Sequence, residues 1–492
     1  MTKYQLGLIF ALVASSVTTS PAQAGPDEKC DVLAEALIDV NIETLPDLTT
    51  APERATGPNT VQWMDALAIS PTDPADWTPI TKAVPGCLIT GTLKDDRQAR
   101  FLLRLPKEWN GKLVVGGAAG TRSEFNGDLV ISDLVLQKGY AYASQNKGMM
   151  NSEPADRSKP NACPLKPVAA DSIPGFTTNP LVYFHLLDDE NSLVEWGERF
   201  NQAALLAKAL IEEHYGAKPS RTYAMGVSNG GYQVRKAIED HPENFDGGVE
   251  WEAVLWQRNG PNFIGELPVG LKQFPSYRDK GLDPTSKEAR AIEAADFPQD
   301  LVENDTSLWT LNHQYWEVTE CLYVRKLDPG YDKGFAVFAD YNYVVRPESV
   351  RKTIDTFANN GIVRKPLISV HGTLDALIPL KGHARPYKAM VEANKCGQNY
   401  CGQNYRLYEI QNGNHFDSFK GTTLGQKLPD LELIQPHAHR AFELLEAWVE
   451  SGIPAPPSQC VPRGGGISDT PQATECANLL EPSVEHSNPN LQ

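Results

Sequence analysis

The chain has 492 residues, a formal net charge of −17, 38 glycines, 37 prolines and eight cysteines. Its length admits one large domain with an insertion, or two to three ordinary domains. The acidic balance argues against nucleic acid or an anionic membrane surface as a partner.

Met1 to Lys3 precede an apolar stretch from Leu6 to Val17, and Ala22-Gln23-Ala24 then offers a small-residue cleavage site before Gly25. This pattern predicts a signal peptide over 1–24 and a secreted or periplasmic mature protein. No later run is apolar for long enough to predict a membrane-spanning helix. Cys30, Cys87, Cys163, Cys321, Cys396, Cys401, Cys460 and Cys476 all follow the cleavage site. An even number in an oxidising compartment predicts disulfides, with Cys396–Cys401 and Cys460–Cys476 as local pairs. No Cys-x-x-Cys pair or clustered Cys/His set has metal spacing, so no metal is expected.

Residues 25–86 are rich in Pro, Thr, Asp and Ala, and predict an N-terminal extension with little regular structure, packed on the core and tied to it through Cys30. Cys87 to Leu93 and Ala99 to Leu105 read as a hairpin across Lys94-Asp95-Asp96. Lys112-Leu-Val-Val115 is an apolar strand that runs into Gly116-Gly117-Ala118-Ala119-Gly120, where bare backbone lets amides approach a ligand. No Gly-x-Gly-x-x-Gly or Gly-Lys-Ser/Thr follows, so no nucleotide cofactor is expected. Leu129 to Lys138 reads as a helix, Gly139 to Ser144 as a strand, and Leu193 to Tyr215 as a helix closed by Gly216 at C′. Alternating strands and helices predict an α/β fold, a mainly parallel sheet with helices on both faces and its active site at the strands' carboxyl ends.

Tyr223 to Val227 reads as a buried strand, followed by Gly226-Val227-Ser228-Asn229-Gly230-Gly231 and a helix from Tyr232 to Asp240. A serine on so tight a strand-to-helix turn needs glycines on both sides, and Gly226 and Gly230 occupy those places. Ser228 is therefore the candidate nucleophile. The Asn229 amide is the candidate oxyanion donor, with Ala118, then Gly117, as the second.

The sheet is expected to resume with Gly247 to Trp256 and Pro366 to Gly372. Asp375 stands on the loop after the second of these, and His415 on the loop after Leu407-Tyr-Glu-Ile410. The order Ser, Asp, His is that of the α/β-hydrolase fold and differs from the chymotrypsin and subtilisin orders. His415 would move the proton, and Asp375 would hold its tautomer. His371, His383, His437 and His439 rank below His415. Between the strand expected over Gly247 to Trp256, the sixth of such a fold, and the return to the sheet, residues 257–346 read as a lid insertion dense in aromatics, of which Trp309, Tyr315 and Trp316 are candidate substrate-binding residues. The core is thus expected over 87–256 and 347–455, with helices over 347–360 and 438–451 and a disulfide-bearing tail over 456–492. The duplicated Cys396-Gly-Gln-Asn-Tyr400 and Cys401-Gly-Gln-Asn-Tyr405 read as a stapled surface loop.

Trp109-Asn-Gly111, the run from Ala204 to Gly216, the elbow and Pro242-Glu-Asn-Phe-Asp-Gly247 together resemble the tannase and feruloyl esterase branch of the α/β-hydrolases. That resemblance implies a secreted serine esterase of phenolic or related esters with a lid over its pocket. Members of that branch bridge the elbow to the histidine loop with cysteines flanking the Ser and His. Here Val227 and Phe416 hold those places, so apolar packing beneath the catalytic residues is expected instead. Calcium occurs in the lid of some members, and no ligand run for it is recognisable here. The elbow Gly-x-Ser-Asn-Gly-Gly also resembles hydrolases of hydroxyalkanoate oligomers. The expected function is ester hydrolysis without a cofactor, on phenolic or hydroxyalkanoate-oligomer esters. Amide or peptide hydrolysis by the same triad, and a silent binding protein on the same fold, are the alternatives.

Overall fold

The computed structural model describes Cys30, Val32 and residues 34–57, 60–96, 98–148, 163–166, 181–182, 193–331 and 338–481. The predicted signal peptide lies outside the described residues. The main sheet has ten strands: β1 (Leu37–Leu45), β2 (Gly86–Leu93), β3 (Arg100–Pro106), β4 (Lys112–Gly117), β5 (Ala141–Gln145), β6 (Arg221–Val227), β7 (Gly247–Trp251), β8 (Leu367–Gly372), β9 (Tyr405–Ile410) and β10 (Gln459–Val461). Their spatial order is β1-β2-β3-β5-β4-β6-β7-β8-β9-β10. The β1–β2, β2–β3 and β3–β5 pairs are antiparallel, and every later pair is parallel.

The parallel strands are buried along nearly their whole length because both faces are covered, polar side chains such as Glu250, Ser369 and Glu409 included. Leu113, Val115 and Ala224 point to one face, where they meet Phe200, Ala204 and Ile211 of α1 (Val194–Tyr215) and Val234 and Ile238 of α2 (Asn229–Asp240). Val114, Tyr223, Met225 and Val227 point to the other, against Ala438, Ala441, Phe442 and Leu445 of the C-terminal helix Gln435–Ser451. A third core is formed by α3 (Phe263–Asp279) and α4 (Leu308–Leu327), both in the segment between β7 and β8.

The N-terminal extension departs from expectation. It supplies the edge strand β1 and the short helices Ala51–Thr56 and Val61–Leu67. Along β1 only Leu37 is buried, so an edge strand hung on the sheet through its backbone leaves no alternation in the sequence. The strand expected over Gly247 to Trp256 ends at Trp251. Glu252 turns left-handed (φ +52°), and Val254 and Trp256 leave the sheet for the third core. The helix expected over 347–360 is shorter, Glu348–Asp355, and that expected over Leu129 to Lys138 opens with a wide turn over Asp128–Ser132.

All eight cysteines are bridged, as Cys30–Cys87, Cys163–Cys321, Cys396–Cys401 and Cys460–Cys476. The first ties the N-terminus to β2, and the second ties residues near 163 to α4. In the duplicated segment the first copy closes the small stapled hairpin, and the second leads into β9.

Candidate active site

Ser228 sits between β6 and α2 with φ +60° and ψ −118°, a conformation costly for any residue with a Cβ. It is held there by its N–H on the Trp251 carbonyl (2.8 Å) and by the Tyr232 N–H on its own carbonyl (3.0 Å). The glycines around it are required by contact. A Cβ on Gly226 would lie 2.4 Å from the Gly230 oxygen, and one on Gly230 would lie 2.1 Å from the Gly117 oxygen. The end of β4 and the start of α2 therefore meet backbone to backbone.

The structure brings Ser228, His415 and Asp375 together. His415 Nε2 lies 3.0 Å from Ser228 Oγ, and its Nδ1 lies 2.7 Å from Asp375 Oδ2. Asp375 Oδ1 accepts from the Leu377 and Ile378 amides (2.9 and 2.7 Å), which aims its second oxygen at the imidazole. His415 and Asp375 are fully buried, and Ser228 is 5% exposed. With Asp375 accepting, Nδ1 carries the proton and Nε2 is free to accept from the serine hydroxyl.

Gly117 and Ala118 do not line the pocket in front of Ser228. Ala119, Gly120, Thr121 and Arg122 line it instead. The Ala119 amide is engaged by Asn126 Oδ1 (2.9 Å), and the Ala118 carbonyl accepts from Lys147 Nζ (2.6 Å). Lys147 is fully buried, and burial pushes its ammonium down to about 7. Asn229 also lines the pocket. Its side-chain oxygen accepts from the Tyr323 hydroxyl (3.0 Å), which fixes the first residue of α2 from the insertion side.

The pocket encloses about 710 Å³ counted out to open solvent. One wall is the face of α4 carrying Tyr315, Val318, Thr319, Leu322 and Tyr323, whose spacing places them on one side of a helix. Of the three aromatics singled out from sequence, Tyr315 lines the pocket and Trp309 and Trp316 do not. Successive helical residues point about 100° apart, so Trp316 turns into the insertion's core. There its indole donates to the Ala376 carbonyl (2.7 Å), next to Asp375. Trp309 packs on Tyr277. Phe416 also lines the pocket, a place that sequence did not give it. It is half-buried on the pocket wall against His415, Tyr315 and Phe419, at the margin of the core in which Val227 is fully buried.

The other histidines are occupied. His371 Nε2 donates to the Ile378 carbonyl (2.7 Å), and burial pushes its pKa down to about 4. His383 Nδ1 accepts from the Leu255 amide, and His439 Nε2 donates to the Val130 carbonyl. His437 lies 3.7 Å from Glu432. One residue at the centre was missed from sequence: Glu252, fully buried, with Oε2 3.6 Å from His415 Nδ1. Its signal was a pair of glutamates, Glu250 and Glu252, inside an otherwise apolar run. Among the described residues, Glu252, Asp375 and His415 form the one group of three or more His, Cys, Asp or Glu close enough to share an ion, and no such group lies in the insertion.

A sheet of this order with a Ser-His-Asp chain at its carboxyl edge defines an α/β-hydrolase. Residues 87–253 match the family described as tannase and feruloyl esterase, and residues 308–488 match that described as 3HB-oligomer hydrolase. The D-(-)-3-hydroxybutyrate oligomer hydrolase of Burkholderia vietnamiensis is 35% identical over 130 residues, 25% of this chain and 17% of the relative. That of Burkholderia mallei is 37% identical over 120 residues, 23% of this chain and 16% of the relative. The chain thus covers less than a fifth of the length of these relatives. Among solved structures, feruloyl esterase B from Aspergillus oryzae superposes with a TM-score of 0.48 at 14% identity over 85% of this chain and 88% of that one. Tannin acyl hydrolase from Aspergillus niger does so at 0.45 and 11% identity, over 80% and 88%.

Proposed function

We propose that the protein is an exported serine carboxylic-ester hydrolase in which Ser228 is the nucleophile, His415 the general base and acid, and Asp375 the group that orients His415. The observation that carries this reading is the continuous hydrogen-bonded chain from Asp375 through His415 to Ser228, opening onto a pocket with mainly apolar walls. His415 Nε2 takes the Ser228 proton as Oγ attacks the ester carbonyl. The oxyanion that forms is held by the Asn229 amide at the start of α2 and by an amide of the turn over 117–120, where sequence places Ala118 first and Gly117 second. His415 then returns the proton to the leaving alcohol, and water, activated by the same imidazole, releases the acid. No cofactor enters these steps.

The tannase, feruloyl esterase and 3HB-oligomer hydrolase matches support phenolic and hydroxyalkanoate esters as the substrate range. Arg122 favours the second. It is the one charged residue among the described residues lining the pocket, held beside Asp65 at 3.2 Å, and a hydroxyalkanoate oligomer ends in a carboxylate. The four disulfides and the N-terminal sequence support export. Among the described residues no helix is long and apolar enough to cross a membrane.

The test is a substrate panel: 3-hydroxybutyrate trimer as free acid and as methyl ester, methyl gallate, ethyl ferulate, and p-nitrophenyl butyrate beside its anilide. The free-acid trimer is expected to have a lower KM than its methyl ester, a difference erased by Arg122→Gln, and the anilide is expected to be inert. Preference for the methyl ester or for gallate overturns the carboxylate reading. Hydrolysis of the anilide at the ester's rate overturns ester specificity.

A further inference from the structure

Glu252 occupies a place that an ordinary buried glutamate has no reason to occupy. It follows β7 directly and takes a left-handed backbone conformation (φ +52°), which costs energy for a residue with a long side chain. The turn is fixed from several sides. The Glu252 amide donates to the Val370 carbonyl (2.9 Å), and the Ala253 amide donates to Glu250 Oε2 (3.0 Å). Glu250 is in turn locked by the fully buried Arg235 of α2 (2.6 Å).

The result is a carboxyl driven inward behind the imidazole of His415. Its Oε1 accepts from the Gly372 amide (3.2 Å), at the end of β8, three residues before Asp375. The Trp251 indole also faces this carboxyl, and Oε2 lies 3.6 Å from His415 Nδ1, the atom that Asp375 holds at 2.7 Å. Space has been cleared for it. A Cβ on Gly372 would stand 2.9 Å from Glu252 Oε1 and 2.4 Å from the Gly413 carbonyl, so the acid loop and the histidine loop close directly on this carboxyl.

We propose that Glu252 is a positioning residue of the triad and its reserve acid: it holds the loop bearing Asp375, and it accepts the Nδ1–H of His415 when Asp375 is removed. The proposal rests on the triad reading given above. The groups facing Glu252 are Asp375, His415 and Asp417, with His371 beyond at 3.5 Å from Asp375. Burial, with Asp375 and Asp417 nearby, drives the Glu252 carboxyl well above the ordinary range, which favours its neutral form. Removing Asp375 removes that repulsion. The charged form of Glu252 then becomes easier to reach, its proton passing to water, and a movement of under about 1 Å brings Oε2 within hydrogen-bond distance of Nδ1. A purely structural role, accepting from Gly372, is equally served by glutamine.

The experiment compares full-length wild type with Glu252→Gln, Asp375→Ala, the double variant and His415→Ala, each checked for folding by circular dichroism. It uses kcat/KM for p-nitrophenyl butyrate from pH 5 to 10. Asp375→Ala is expected to retain about 10²-fold more activity than the double variant, which falls to the level of His415→Ala, and its acid limb shifts because it reports a Glu252–His415 pair. Asp375→Ser, which keeps an acceptor for the loop amides, replaces alanine if the loop unfolds. The reserve role is overturned if Asp375→Ala is already as inert as His415→Ala, or if the double variant matches Asp375→Ala. A wild type that a fluorophosphonate does not label at Ser228 sinks the triad reading itself, whereas a labelled wild type with an inert Asp375→Ala overturns only the role of Glu252.

Discussion

Replacing Gly230 by alanine separates two contributions that oppose each other in sign. Gly230 lies in the first turn of α2, and helix propensity alone would make alanine more stable there by about 1 kcal/mol. Its Cβ, however, would stand 2.1 Å from the Gly117 oxygen and 2.3 Å from the Gly117 carbonyl carbon. Contacts of this kind settle near 3.5 Å, so the two backbones must part by more than about 1 Å, and neither is a side chain that can turn aside. Overpacking of this kind costs about 1 to 3 kcal/mol, which outweighs the propensity gain. Separation also pulls the turn over 117–120 away from Ser228 and Asn229, and a 1 Å misplacement at a catalytic centre costs about 10²-fold in rate. The expected outcome is a Tm lowered by several degrees and a kcat for p-nitrophenyl butyrate reduced about 100-fold. Gly466→Ala, which meets nothing within 4 Å, changes neither. If Gly230→Ala has the wild-type Tm or higher and keeps kcat within twofold, the backbone interlock does not hold the site.

Phe416→Ala removes a half-buried ring that both packs on His415 (centroids 4.3 Å apart) and lines the pocket, so steady-state kinetics should show kcat falling and KM rising together. An unchanged KM would mean that the ring serves only the histidine. Lys147→Met tests a buried amine by its pH dependence. The unfolded chain keeps this proton up to the usual lysine value of about 10.4, whereas the folded protein releases it near 7. Wild-type stability therefore gains from this group as pH rises from about 7 towards 10, and the full penalty, on the order of 4 kcal/mol, is present below 7. Thermal melts should favour Lys147→Met over wild type more strongly at pH 6 than at pH 9, and the reverse ordering refutes a buried ammonium there.

The three residues that the structure brings together, Ser228, His415 and Asp375, were legible in the sequence because each is demanded by a local physical need that leaves a mark. The elbow needs Gly226 and Gly230, and Asp375 and His415 each stand on a loop leaving a largely apolar strand. The edge strand β1 left no such mark, since most of its side chains face solvent and its pairing runs through the backbone. Glu252 was hidden within a run that reads as one strand to Trp256. What breaks that run is tertiary, the Arg235–Glu250 pair and a left-handed turn. Aromatic density flagged the insertion but could not orient it. Tyr315 and Trp316 are adjacent, and only the helix that carries them decides which meets the pocket and which meets Ala376. The glycines that read as a ligand-binding turn also serve the contact of β4 with α2, a tertiary need that the sequence does not mark.

The central claim, that Ser228 is a nucleophile activated by His415, is tested most directly by treating the folded protein with a fluorophosphonate and locating the adduct by peptide mass spectrometry. The account predicts one adduct, on Ser228, absent in Ser228→Ala and formed at least about 10²-fold more slowly in His415→Ala. A folded wild type that forms no adduct, or forms it on another residue, contradicts it.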